Sequence, residues 1–292
     1  MGNGGTVVDS IIKNLPAFGA LTEVEARVFE DSAESREFAA GSEVPAADSL
    51  LLVTDGVLQF GIESSGSYQS LGTLERGGLL GEMNPFEAAS VPIRANADKD
   101  TTCLSWKLPD LKSAFRYSRT GAAKLMAVFS MSLSQKIRLA NELLRKAPES
   151  AGSVDERPRE LDALDLQRLR SFSVSREYAP GTTILEEGEV GRELFVIADG
   201  EVEILKETDA GTTMPLARLK AGDFFGEMAF VDQSPRSATA VARTRLKVHV
   251  LPSGSLDRIF NYNVGTALYF TNVLCKIMAR RLDVTLKRIA SL

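Results

Sequence analysis

A chain of 292 residues, 44% hydrophobic and 25% charged, is long enough for two domains that each bury a core. A formal net charge of -5 excludes a surface given over to nucleic acid or to an anionic membrane and leaves any basic partner surface local. Two distant cysteines, Cys103 and Cys275, exclude a disulfide framework and a CxxC site and fit a reducing cytoplasm, while a single histidine, His249, excludes a catalytic triad or multi-histidine metal centre. In the alternation around Val248 and Val250, His249 is expected on a strand surface.

The N-terminus has neither the basic start nor the long apolar run of a signal peptide, and no apolar run approaches the ~18 residues of a membrane helix. Met1, Gly2 and Thr6 satisfy the M-G-x-x-x-[ST] myristoylation pattern, as a flexible glycine-rich leader also does. Further along, the same landmarks occur twice in the same order. Val53-Thr54-Asp55-Gly56-Val57 is answered by Ile197-Ala198-Asp199-Gly200-Glu201, and Gly81-Glu82-Met83 by Gly226-Glu227-Met228. Each copy then places an arginine in a proline-containing segment, Arg94 after Pro92 and Arg236 after Pro235, and ends in a long helical pattern. Two copies of one unit follow: residues 1–146, a polar turn-forming linker at 147–159, and residues 160–292.

The first copy departs from the second. Glu82 and Arg94 lie twelve residues apart, whereas Glu227 and Arg236 lie nine apart, which predicts an enlarged or distorted cradle. Only fifteen residues separate Gly41 from Gly56, against nineteen from Gly181 to Gly200, and Gly188 has no counterpart. In this alignment Asn96 stands for Ala238 and Ala140 for Thr285.

In the second copy a short helix is expected over 161–172. Segments 182–185, 193–197, 201–205, 215–219 and 237–251 are rich in β-formers and punctuated by Gly181, Gly188, Gly200, Gly211 and Gly222. That spacing predicts a small antiparallel barrel or jelly roll. From residue 256 the period changes to that of a helix, with Leu268, Val273, Leu274, Ile277, Met278, Leu282 and Leu286 on one side. The fold class is mainly β with helices, each β unit followed by C-terminal helices.

The segment from Phe225 to Ala238 carries the chemistry. Gly226 lets backbone approach a ligand, and a one-turn helix after it would present the N–H groups of Met228 and Ala229 to an anion. Arg236 adds a planar fork for two phosphate oxygens, and Glu227, acceptor-only when ionised, suits a sugar hydroxyl. Taken alone, Glu227 and Arg236 are equally an ion pair in a turn.

This segment, with Gly188-Glu189 and Leu194-Phe195-Val196-Ile197-Ala198-Asp199-Gly200 upstream, resembles the phosphate-binding cassette and strands of cyclic nucleotide-binding domains, including those of cAMP-dependent protein kinase regulatory subunits. The resemblance implies that Glu227 accepts the ribose 2′-hydroxyl and that Arg236, with the Met228 and Ala229 amides, holds the phosphate. Ser237 and Ala238 complete the cassette. Residues Met278 to Thr285 resemble the long C-helix of catabolite activator proteins, which implies Thr285 as the base reader, cAMP as ligand with cGMP as the alternative, and a homodimer through that helix or packing on its own barrel alone. Gly81, Glu82 and Arg94 mark a degenerate second site.

The expected activity is therefore that of a cytoplasmic signal-transduction receptor, not an enzyme: a cyclic nucleotide binds, terminal helices move, and a separate protein effector responds. No cofactor, metal, nucleic-acid partner or transmembrane segment is expected. The chain is expected to stop too early for a helix-turn-helix, no kinase signature occurs, and no dimerisation-docking domain or inhibitor site precedes Leu15. The competing expectation is a protein-interaction scaffold with vestigial pockets, docking through Lys276, Arg280, Arg281, Lys287 and Arg288.

Overall fold

The computed structural model describes residues 10–64, 66–146, 171–252 and 254–292. The linker at 147–159, most of the helix expected over 161–172, and Met1, Gly2 and Thr6 lie outside the described residues.

Two compact units form, and they are not the two halves of the chain. One comprises the described residues of Met1–Leu133 with Leu268–Asp283; the other comprises those of Ser134–Ala267 with Val284–Leu292. In the first, α1 (Glu23–Asp31) starts at a capping box in which the Thr22 hydroxyl accepts from the Glu25 amide and the Glu25 carboxylate accepts from the Thr22 amide. Seven strands follow: β1 (Glu34–Phe38), β2 (Ser49–Asp55), β3 (Leu58–Ser64), β4 (Ser67–Leu74), β5 (Leu79–Leu80), β6 (Ile93–Ala97) and β7 (Thr101–Lys107). They make two sheets, β1-β7-β2-β5 and β4-β3-β6, with antiparallel pairing throughout. Then come α2 (Leu108–Tyr117) and the long α3 (Arg119–Arg145).

The second unit repeats the plan with β8 (Val174–Tyr178), β9 (Thr183–Leu185), β10 (Leu194–Asp199), β11 (Glu201–Glu207), β12 (Thr213–Lys220), β13 (Phe224–Phe225), β14 (Thr239–Ala242) and β15 (Leu246–Leu251). Its sheets are β13-β10-β15-β8 and β12-β11-β14-β9. Alternate residues of the two sheets, among them Phe195, Ile197, Val202, Leu219, Ala240 and Val248, close over one apolar core. The antiparallel β architecture with C-terminal helices is the one expected. Two strands, β8 and the two-residue β13, were not expected, and the run at 237–251 divides at 243–245, where the Arg243 amide turns back to the Glu201 carbonyl at 2.9 Å. His249 does lie on a strand, but it is only 8% exposed because β15 is paired on both sides, by β10 and β8.

The cassette helix α4 (Glu227–Asp232) is followed by α5 (Ser255–Tyr262) and α6 (Val264–Ala290). One apolar side was expected on α6, yet Leu274, Cys275, Ile277, Met278, Ala279 and Leu282 are all at most 1% exposed, so the helix is covered around most of its circumference. Its residues 268–283 pack in the first unit and 284–292 in the second. The helix therefore does not pack on its own barrel alone, which corrects that expectation. Of the basic residues at this end, Lys276, Arg280 and Lys287 are exposed, whereas Arg281 is 8% exposed and Arg288 donates to the Leu216 and Pro215 carbonyls at 3.4 and 3.5 Å. Both cysteines are buried; burial pushes the Cys103 thiol up to about 11 and raises that of Cys275 too. Among the described residues no helix is long and apolar enough to cross a membrane.

Candidate functional site

Gly226 closes β13 and opens α4 with φ of +79°, a left-handed conformation that glycine adopts without a Cβ penalty. A side chain here would also collide: a Cβ would lie 2.8 Å from Arg236 Nη1 and 2.9 Å from the Glu193 carbonyl. The Phe230 amide makes the first helical return, to the Gly226 carbonyl at 3.2 Å, so the Met228 and Ala229 amides precede it. Both residues are buried, as is Glu227 at 4% exposure.

Arg236 reaches this helix start from the segment before β14. Its backbone is clamped, with its amide donating to the Glu189 carbonyl and its carbonyl accepting from the Gly188 amide, each at 2.9 Å. Nη1 donates to the Glu193 carbonyl at 2.9 Å and to the Gly226 carbonyl at 3.1 Å. Nη2 pairs with Glu193 Oε2 at 3.3 Å, and the guanidinium carbon lies 5.8 Å from the centre of the Phe195 ring. Although only 3% of the residue is exposed, Nε has no hydrogen-bond partner among the described residues. Burial lowers the guanidinium pKa, opposed by Glu193, Glu189 and Glu227. A buried cation with a spare donor beside a helix start is suited to an oxyanion.

Ser237 is half-buried with its hydroxyl 3.2 Å from Met228 Sδ, and Ala238 follows it into β14. Lys206 supports the turn from below, donating to the Ser237 carbonyl at 3.1 Å and pairing with Glu187 at 2.7 Å. Thr285, 7% exposed, lies on α6 in the same unit, one turn before the Arg288 that bonds β12. The structure thus gathers Gly226, Glu227, Met228, Ala229, Arg236 and Ser237. Glu193, the acid that holds Arg236, was missed, because it lies 43 residues away in sequence at the start of an apolar strand.

In the first unit Arg94 is not the register counterpart of Arg236. Gly81 and Gly226 are 145 residues apart, and so are Ala97 and Ala242, which pair with Leu58 and Val202 at matching points of β3 and β11. The intervening segment therefore has the same length in both units, so the cradle is not enlarged, and Val91 is the counterpart of Arg236. Arg94 is exposed on β6 and pairs with Glu63 at 3.1 Å. By the same register Asn96 matches Val241 rather than Ala238, whereas Ala140 does match Thr285.

Residues 175–263 match the family described as "Cyclic nucleotide-binding domain". Over 211 residues the chain is 30% identical to the cAMP-dependent protein kinase regulatory subunit of Pyricularia oryzae, an alignment that takes in 70% of this chain and 46% of that protein. Over 100 residues it is 35% identical to that of Yarrowia lipolytica, covering 34% of this chain and 26% of the relative. The chain spans less than half the length of these relatives. Among solved structures, the regulatory domain of Toxoplasma gondii PKA with cAMP aligns over 90% of this chain and 93% of its own, at 16% identity and a TM-score of 0.34.

Proposed function

We propose that this chain, whose residues 175–263 are a cyclic nucleotide-binding domain, is a cytoplasmic cAMP receptor that acts as a ligand-responsive regulatory adaptor for a separate protein. Its pocket comprises Gly226, Glu227, Met228, Ala229, Arg236, Ser237, Ala238 and Thr285. One observation carries the reading: Arg236 is 3% exposed, aimed at the helix start by the Glu193 and Gly226 carbonyls, and still holds an unused donor. The phosphate of cAMP takes that edge together with the Met228 and Ala229 amides, Glu227 accepts the ribose 2′-hydroxyl, and Thr285 reads the base. The relatives' names favour cAMP over cGMP and make a protein kinase the first partner to test.

Nucleotide binding regulates a partner only through its different affinity for two arrangements of the helices. Calorimetric titration with cAMP and cGMP tests the site. Arg236→Leu is expected to cost roughly 3–5 kcal/mol of binding free energy. Because Arg236 also bonds the fold, Glu227→Gln is the second variant, expected to weaken cAMP by about 1–2 kcal/mol without touching those bonds. Absence of binding to the wild type, or unchanged affinity in both variants, would refute the assignment.

A further inference from the structure

Arg236 is the only cation among the residues assigned to the second cassette, and acids lie on several sides of it. Glu193 Oε2 lies 3.3 Å from Nη2 and Glu189 Oε1 lies 4.0 Å from Nε, while the Glu227 carboxylate acts on the same guanidinium from the start of α4. Glu189 and Glu193 belong to the loop between β9 and β10. That loop is tied to the arginine through its backbone: the Gly188 amide donates to the Arg236 carbonyl and the Glu189 carbonyl accepts from the Arg236 amide, each at 2.9 Å.

Gly191 sits in the same loop. A Cβ on it would lie 2.8 Å from Nη2, 2.9 Å from Nε and 3.1 Å from Cζ, so there is room beside this edge because residue 191 has no side chain. The loop thus leaves space for a ligand oxygen at one edge of the guanidinium and sets a carboxylate at each end of that edge, Glu193 by Nη2 and Glu189 by Nε.

One cation against two loop carboxylates is a net negative balance before any ligand enters. A cyclic phosphodiester adds one negative charge. A phosphomonoester adds nearly two at neutral pH, because its second proton leaves at about pH 6. That second charge finds no further cation in the assigned pocket and is repelled by both loop acids, at separations shorter than the screening length of ordinary salt. The Glu189 and Glu193 side chains are 44% and 37% exposed, so each supplies a modest factor and not an absolute barrier.

We propose that Glu189 and Glu193 make the second cassette select by charge, admitting phosphodiesters with one negative charge and turning away phosphomonoesters with two. This rests on the reading of the cassette as the seat of a nucleotide phosphate. Adding water across a cyclic diester yields such a monoester, so the same two acids clear a hydrolysed ligand from the site.

Competition against labelled cAMP on the full chain separates charge from ring shape when 5′-AMP is compared with its 5′-methyl ester, which has the same open geometry and one charge fewer. On the wild type the methyl ester is expected to displace cAMP about tenfold more effectively than 5′-AMP. Glu189→Gln should narrow that ratio about threefold, and Glu189→Lys about tenfold, which erases it. Neither variant removes a hydrogen bond from Arg236, because the Glu189 carboxylate stands 4.0 Å away and the residue holds the arginine through its backbone. A purely structural role for Glu189 would shift both open ligands alike. Equal displacement by the two, displacement by neither, or a ratio unchanged across both variants would each overturn the proposal. A wild type that binds no cAMP brings down the receptor reading and this selection with it, whereas cAMP binding with an unmoved ratio removes the selection alone.

Discussion

Arg236 does two jobs with one side chain. Its Nη1 bonds tie the Glu193 strand to the start of α4, and in the proposed receptor its Nε, which makes no hydrogen bond among the described residues and lies 4.0 Å from Glu189 Oε1, is the donor offered to the phosphate. Gly226 makes this possible by having no Cβ. In Gly226→Ala the residue would hold φ near +79° at a cost of about 1–2 kcal/mol, and its methyl would press on Arg236 Nη1. The expected result is a lower melting temperature together with weaker cAMP binding; a variant that loses stability but binds cAMP as the wild type does would show that the guanidinium need not sit where it does. Gly226 and Arg236 were recognisable because their spacing is local. Arg94 misled for the same reason, since a nearby proline mimics the local pattern while strand register, a long-range property, puts Val91 at the matching place.

The short helix α4 is held at both ends. At its C-terminus Asp232 receives Arg138 through two bonds, Nε at 2.7 Å and Nη2 at 3.1 Å, plus the Ser134 hydroxyl at 2.6 Å and the Ser234 amide at 2.9 Å. Arg138 and Ser134 come from α3, the helix that ends the first sequence repeat. In the proposed receptor this paired fork is the link by which a cassette movement would reach α3. Burial raises the Asp232 pKa, but the bonds from Arg138, Ser134 and Ser234 outweigh it and leave the carboxyl below the usual aspartate value. A depressed folded-state pKa contributes stability that is full above the unfolded value, ~3.9, and vanishes as pH falls through the folded one. Asp232→Asn should therefore cost about 1–3 kcal/mol at neutral pH, with the gap to wild type narrowing below pH ~4. Denaturant melts at several pH values measure this; a gap that stays constant in acid would remove the ionised Asp232 from the account. The matching residue in the last helix is Asp283, 145 positions after Arg138 and of opposite charge, which grips Ser90 and Val91 of the other cassette.

At the scale of the whole molecule, the last helix supplies core to both units. Leu274, Ile277, Met278 and Leu282 are 0–1% exposed, and 268–283 belong to the first unit. Burying four such side chains contributes roughly 6–12 kcal/mol, comparable with the entire stability of a domain. A chain cut after Ala267 should thus lose the first unit, although that unit's own barrel is intact in sequence. The single tryptophan reports on it: Trp106 is 3% exposed, its Nε1 donating to the Phe29 carbonyl at 2.8 Å. Red-shifted emission in the truncated chain is the expected reading, and a native-like spectrum would show that the helix is dispensable to the first unit.

Periodicity, turn glycines and the doubled Asp-Gly and Gly-Glu landmarks determined the repeat, the antiparallel β units, the helical ends and the second cassette, because each depends on residues within about a dozen positions of one another. Tertiary structure decided what depends on register and burial: the Glu193 partner of Arg236, the exchange of Arg94 for Val91, and the two-unit membership of α6. Those features arise where strands pair and helices pack across a hundred residues or more, and a one-dimensional pattern carries no distance of that kind.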